Sequence, residues 1–244
     1  MHATPQNTGL FVTGTDTGVG KTLVVAGLVR LARKSGLRAL AVKPVETGCP
    51  LRDGMLYPED GALLQEASEG DLTLDECAPF RFSLPASPAR AAATEGLYLN
   101  LPDMVEHVLA LGARADFVVV EGAGGLMVPV RERLMMIDLI RQLGYPVLLV
   151  ARRRLGTINH TLLSVEALQK REIEIRGIVV SQSEADAGPE EEYTAADLAR
   201  FLKDIPVATL PRLDPRSLRN PADIAEVMAA NWPEHLIRRW TGGA

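Results

Sequence analysis

A lysine and a threonine follow directly on a glycine-rich run, "GTDTGVGKT", from Gly14 to Thr22. Gly18 and Gly20 let a backbone curl until its N–H groups converge on phosphate oxygens, with Val19 between them. Lys21 would then reach the β- and γ-phosphates, and the Thr22 hydroxyl would bind Mg²⁺. The usual phosphate loop counts G-x-x-x-x-G-K-[ST]. Here Thr15 holds the place of the first glycine, and Gly14 lies one residue earlier. A glycine-rich turn that merely caps a helix is the plainer alternative. Against it, the apolar run "LFVTG" leads in and "KTLVVAGLVRLARK" leads out, the strand, loop and helix setting that a phosphate loop requires.

Further chemistry-bearing residues stand where other apolar runs end. "ALAV" runs into Lys43 and then Pro44, which cannot continue a central ladder. That lysine is either a surface cation or a site group, and Thr47 lies close enough to share a site. "FVVV" ends in Glu121 and then "GAGG", Gly122 to Gly125, read as a second glycine-rich turn with free backbone N–H groups. A carboxylate at that position suits a magnesium acid, beside the reading of a plain strand end. Asp60, in "PEDGALLQEA", is either a first-turn acid favoured by the helix dipole or a site residue. The arginines of "RRRLGTINH" are expected to face water. His160 is expected to pack or hydrogen-bond, since no second His or Cys stands at metal-ligand spacing. With no G-x-S-x-G elbow, phosphoryl chemistry is the main reading.

These residues need a scaffold that brings strand ends together. Short β-rich runs at 9–14, 39–45, 116–122, 146–151, 175–181 and 205–211 alternate with helical patterns. Two such patterns are 21–36, which stops at Gly36, and "TINHTLLSVEALQKRE" at 157–172. Alternation of this kind predicts an α/β fold, a parallel β-sheet with helices on both faces. Ligands of such sheets collect at the carboxyl ends of the strands, where the polar residues above fall. The stretch 46–101 reads as irregular, and 183–193 as an acidic loop.

The chain has 244 residues, a net charge of −5 and 47% hydrophobic residues, which suits a single globular domain. No basic excess favours nucleic acid. The start "MHATPQNTG" lacks signal-peptide character, and no long apolar run suggests a membrane span, so a cytoplasmic protein is expected. Cys49 and Cys77 are far apart and read as plain thiols.

"GTDTGVGKT", "KPVETG", "VEGAGGLMVPV" and "LGTINHTLL", in this order and over roughly 9–181, together resemble the dethiobiotin synthetases. These are P-loop NTPase-like, ATP-dependent enzymes that close the ureido ring of the biotin precursor. The extra residue in the phosphate loop is part of the likeness. The resemblance implies one ligase domain over 1–244 that takes 7,8-diaminononanoate, CO₂ and MgATP to dethiobiotin, ADP and phosphate.

It also implies roles. Lys21, Lys43 and Thr17 would be catalytic, with Lys43 stabilising the carbamate and the transferring phosphoryl group. Gly18, Val19, Gly20, Lys21, Thr22, Leu23, Glu121, Gly122, Ala123, Gly124 and Ser181 would bind ATP. Thr22, Asp60 and Glu121 would hold Mg²⁺. Thr17, Lys43, Thr47 and Gly124 would face the second substrate. A homodimer is implied, with the substrate carboxylate at Gly156, Thr157, Ile158 and Asn159 of the neighbouring subunit and Tyr193 as a further match.

Two departures stand out: Gly18 stands where some relatives carry Glu, a change of loop stiffness, and Ser181 with Gln182 stands where an Asn would read adenine. Rival readings are a partitioning ATPase of the ParA or MinD type, another amide-forming ligase of the same fold, or a non-catalytic nucleotide-binding protein. The first would carry a signature lysine where this chain has Asp16. The second would add a glutamine-hydrolysing domain.

Overall fold

The computed structural model of the protein describes residues 8–182 and 193–241. Its strands are β1 (Thr8–Gly14), β2 (Ala39–Val42), β3 (Val45–Thr47), β4 (Leu51–Arg52), β5 (Met55–Leu56), β6 (Phe80–Phe82), β7 (Phe117–Gly125), β8 (Pro129–Arg131), β9 (Leu134–Met135), β10 (Val147–Arg152), β11 (Ile175–Ser181) and β12 (Val207–Leu210). Its helices are α1 (Lys21–Lys34), α2 (Glu59–Ala67), α3 (Leu74–Cys77), α4 (Pro88–Thr94), α5 (Leu101–Gly112), α6 (Met136–Leu143), α7 (Thr157–Gln169), α8 (Thr194–Phe201), α9 (Pro221–Asn231) and α10 (Glu234–Trp240).

All six expected strands are present, and they form one parallel sheet in the order β12-β11-β10-β1-β7-β2. The runs at their centres, such as Leu10–Val12 and Phe117–Val120, are buried, because both sheet faces are covered. Right-handed crossovers decide which helix covers which face. The step from β1 outward to β2 puts α1 on one face. The steps from β2 back to β7 and on through β10, β11 and β12 run the other way, which puts α5, α6, α7 and α8 on the opposite face. At the end of the chain α9 returns to pack along α1. The chain therefore leaves β1 toward one face and the flanking strands β7 and β10 toward the other. That divergence opens a crevice at the carboxyl end of β1.

Helix α1 stops where the glycine signal places it. Gly36 has φ +91, its N–H donates to the Arg33 carbonyl (2.9 Å), and the Leu37 N–H donates to the Ala32 carbonyl (3.2 Å). This is the Schellman arrangement, which satisfies carbonyls that a helix end leaves open. No helix among the described residues is long and apolar enough to cross a membrane.

Two expectations change. The stretch 46–101 is built of short elements, β3 to β6 and α2 to α4, each too brief for a periodic signal. β7 also runs three residues beyond 122, through "GAGG", so those glycines are strand and not turn. The reason is close approach: Gly125 pairs with Gly14, and a Cβ there would lie 3.1 Å from the Gly14 carbonyl oxygen. A side chain there would push the two backbones apart by a few tenths of an ångström.

Short α3 owes its start to a capping box: Thr73 Oγ1 accepts from the Glu76 N–H (3.2 Å), and Glu76 Oε2 accepts from the Thr73 N–H (2.8 Å). That backbone N–H, together with the Arg114 guanidinium, holds the Glu76 carboxyl down at about 2 against an ordinary 4.5. A depressed carboxyl stabilises the fold above its unfolded pKa and loses that contribution as pH falls through the folded one. Glu76→Gln should therefore be less stable than the native protein at pH 7, by up to about 1 kcal/mol. In urea melts the gap should narrow as pH falls from about 4.5 toward 2.

Candidate active site

A cavity of about 1460 Å³ opens at the carboxyl edge of the sheet. Thr17, Gly18, Gly20, Lys21, Thr22 and Leu23 form one wall, and Lys43, Thr47, Asp60, Glu121, Ala123, Gly124 and Ser181 are among the other lining residues. Val19 and Gly122 do not line it. Val19 is fully buried beneath the loop, and Gly122 lies against the Phe11 ring, where a Cβ would come within 2.8 Å.

The loop is shaped for an anion. Gly20 caps α1 in the left-handed region at φ +94, with no side-chain cap and no acid in the first turn, so the first N–H groups of α1 have no intrahelical partner. Lys21 folds back over the loop and donates to the Asp16 carbonyl (3.0 Å). Burial lowers its ammonium to about 8, against the opposing pull of Glu121. The Thr17 hydroxyl faces Gly124, whose Cβ, if present, would be 3.4 Å away. Arg152, expected to face water, instead reaches from the end of β10 to clamp the loop. Its Nη2 donates to Asp16 Oδ2 (2.6 Å) and to the Thr17 carbonyl (3.3 Å). Arg152→Ala should weaken ATP binding about two- to fivefold, the scale of a partly exposed ion pair, as read by calorimetric titration.

Three charged residues meet beside the loop. Strand β2 ends at Val42, Pro44 breaks the ladder, and β3 restarts in a separate small sheet with β6. Lys43 sits in that break, its N–H held by the Cys77 carbonyl (2.8 Å) and its ammonium directed at two carboxylates. Glu121 Oε1 accepts from Lys43 Nζ (2.9 Å) and from Thr22 Oγ1 (3.0 Å), while Asp60 Oδ2 makes a short contact with the same ammonium. Burial alone would lower the Lys43 pKa; Glu121 and Asp60 outweigh it and hold the group above the ordinary lysine value. Glu121 is 1% exposed, and burial raises its pKa.

Sequence reasoning missed Glu46. Its Oε1 accepts from the Asp60 N–H (3.1 Å) and its Oε2 from the Gly61 N–H (2.9 Å), which caps α2 from a distant strand. Burial pushes its carboxyl up to about 7. The one available signal was its place in "KPVETG", three residues after Lys43.

Asp60, Glu121 and Thr22 offer oxygen donors alone, which suits Mg²⁺. Glu121 Oε2 is buried and has no hydrogen-bond partner among the described residues, which leaves its lone pairs open to a cation. Two carboxylates and a hydroxyl are too few to enclose a metal, and no larger His, Cys, Asp or Glu cluster exists among the described residues. That fits an ion which keeps several waters and takes substrate phosphate oxygens.

Gly156, Thr157, Ile158 and Asn159 lie outside this cavity, at the start of α7. That helix also begins on a left-handed glycine, φ +89, with no side-chain cap and no first-turn acid. Tyr193 is exposed and away from the cavity, and so is His160. Ser181 is 2% exposed and presses on Gly20. The wall beyond it comes from Gln182 and from 210–219, which the sequence left unassigned. The acidic stretch 183–192 lies outside the described residues.

An AAA domain family model matches residues 8–219. An ATP-dependent dethiobiotin synthetase of Anaeromyxobacter dehalogenans is 46% identical over 222 residues, covering 91% of this chain and 97% of that protein. The chain belongs to the ATP-dependent dethiobiotin synthetase family. The family member of Bacillus licheniformis is 38% identical over 209 residues, covering 86% of this chain and 88% of its own. Dethiobiotin synthetases are ATP-dependent ligases of biotin biosynthesis. Among solved structures, the septum site-determining protein MinD of Pyrococcus horikoshii, complexed with Mg-ADP, superimposes with TM-score 0.53 at 18% identity, over 96% of this chain and 94% of that one. That likeness is one of fold. It matches the expected P-loop NTPase-like sheet and leaves the dethiobiotin synthetase assignment untouched.

Proposed function

We propose that residues 1–244 act as one ligase domain that makes dethiobiotin from 7,8-diaminononanoate, CO₂ and MgATP. One observation carries this reading: Glu121 Oε1 accepts hydrogen bonds from both Thr22 of the phosphate loop and Lys43 of the second strand end. A lysine kept protonated by two neighbouring carboxylates is thereby fixed beside the place where a γ-phosphate would lie.

The reaction runs in three steps. One amine of the substrate adds to CO₂, forming an N–C bond and releasing a proton. A carbamate oxygen then attacks the γ-phosphorus and ADP leaves, giving a carbamic-phosphoric anhydride. The second amine attacks the carbamoyl carbon and gives up a proton, phosphate leaves, and the ureido ring closes. Most of this is positioning and charge neutralisation. Lys21 and the N–H groups of Gly18, Gly20 and Thr22 hold the phosphates. The Lys43 ammonium, buried where its field is little screened, holds the anionic carbamate against the transferring group. Thr17, Thr47 and Gly124 shape the pocket for that end of the substrate. Thr22, Asp60 and Glu121 would hold Mg²⁺, which would supply charge neutralisation on the phosphate oxygens.

The same reading makes the protein a cytoplasmic homodimer in which Gly156–Asn159 of one subunit, with Tyr193, receive the substrate carboxylate bound at the other. Two observations support it. The start of α7 offers uncapped N–H groups, and exposed apolar side chains, Leu155 at 81% and Leu163 at 57%, stand on and before that helix.

Purified protein with ATP and bicarbonate should release phosphate only when the diamine is added, with dethiobiotin detected by mass spectrometry. Absence of diamine-dependent release overturns the proposal. CTP and GTP in parallel would show whether Ser181 and Gln182 relax the choice of base.

A further inference from the structure

Helix α2 begins without a local cap: Pro58 precedes it, and no neighbouring side chain serves its first N–H groups. The cap comes instead from β3. Glu46, 6% exposed, lends one carboxylate oxygen to the Asp60 N–H and the other to the Gly61 N–H. The opposite side of the same turn is fixed by contact, because a Cβ on Gly61 would lie 2.7 Å from the Ala78 Cβ. The residue held between these two constraints is Asp60, whose carboxylate meets Lys43 in the cavity. Lys43 and Glu46 belong to the same short segment, three positions apart in the sequence. The short segment from the end of β2 into β3 therefore sets both partners of the contact, Lys43 by its own side chain and Asp60 through the backbone of α2.

We propose that Glu46 is a positioning residue that fixes the Asp60 carboxylate for divalent-metal binding. The proposal rests on the reading of Asp60 as a metal ligand given above. Groups that orient ligands from behind typically change metal affinity by about 10- to 100-fold when removed. Glutamine at 46 keeps one acceptor and turns an N–H₂ toward the second backbone donor, so it cannot hold both N–H groups.

The test measures Mn²⁺ binding to the full chain with ADP present, by electron paramagnetic resonance, alongside ADP binding without metal. E46Q should raise the Mn²⁺ Kd about tenfold and leave metal-free ADP affinity within about twofold. D60N should raise the Mn²⁺ Kd at least as much. Because Glu46 acts through Asp60, the E46Q/D60N pair should bind Mn²⁺ no more weakly than D60N alone. Should the Gln variant fail to fold, E46D, which keeps the charge and loses the reach, replaces it in the same cycle. An unchanged Mn²⁺ Kd in D60N overturns the metal-ligand reading itself. A weakened D60N beside an unchanged Glu46 variant, additive losses in the double variant, or equal losses of ADP and Mn²⁺ affinity each overturn the positioning role.

Discussion

Lys43→Ala is expected to lower kcat by about 10²- to 10³-fold while the Kd for ATP stays within about threefold. The magnitude is that of removing one pre-placed charge from where negative charge develops in a water-poor site. Lys43 is 7% exposed, and its side-chain contacts run to Glu121 and Asp60 and not to the loop backbone. In the proposed reading the phosphates are held by the other lysine, Lys21, which lies over the loop. Lys21→Ala should therefore show the opposite pattern, weaker ATP binding together with lost turnover. Lys43→Arg should recover only part of the rate, because a planar fork does not fill the place of a compact ammonium between two carboxylates. Steady-state kinetics paired with calorimetric ATP titration decide the matter. Near-normal kcat in Lys43→Ala, or a loss of ATP affinity equal to that of Lys21→Ala, would refute the division of labour.

Where the sequence was legible, the signal was local. The loop announces itself because all its parts are contiguous between Gly14 and Thr22, and the strands because uninterrupted buried runs such as Phe117–Val120 have no other use in a chain of this size. Lys43 and Glu121 could be found because an open parallel sheet sends every strand end to the same edge. What stayed hidden depends on partners far along the chain. Arg152 finds Asp16 at a separation of 136 residues, which no pattern around "RRRLGTINH" reveals. Glu46 caps N–H groups 14 and 15 residues away, on a helix whose own start shows no capping residue. "GAGG" was misread for a related reason. Glycines usually mark turns, but here they let β7 run beside Gly14, a close approach that only the folded register makes visible.

That close packing around the loop also sets the second large effect. Gly20→Ala is expected to weaken ATP binding by about 10- to 100-fold, the equivalent of about 1.4 to 3 kcal/mol of backbone strain. Two causes are separable. At φ +94 the residue lies well beyond the left-handed helical region that an L side chain tolerates, near +57. A Cβ there would also stand 2.7 Å from Ser181 Oγ. The serine hydroxyl can rotate away, whereas φ cannot change without uncurling the loop on which the proposed phosphate contacts depend. Backbone strain is thus the dominant cause, and adding Ser181→Gly to Gly20→Ala should restore less than half of the lost binding energy. Gly18→Ala gives the internal control. Its φ of +71 lies closer to the tolerated region and a Cβ there meets nothing within 4 Å, so its loss should be about tenfold smaller. Equal losses at the two glycines would show that the loop needs flexibility in general and not the left-handed conformation at Gly20. Full rescue by Ser181→Gly would assign the effect to the collision alone.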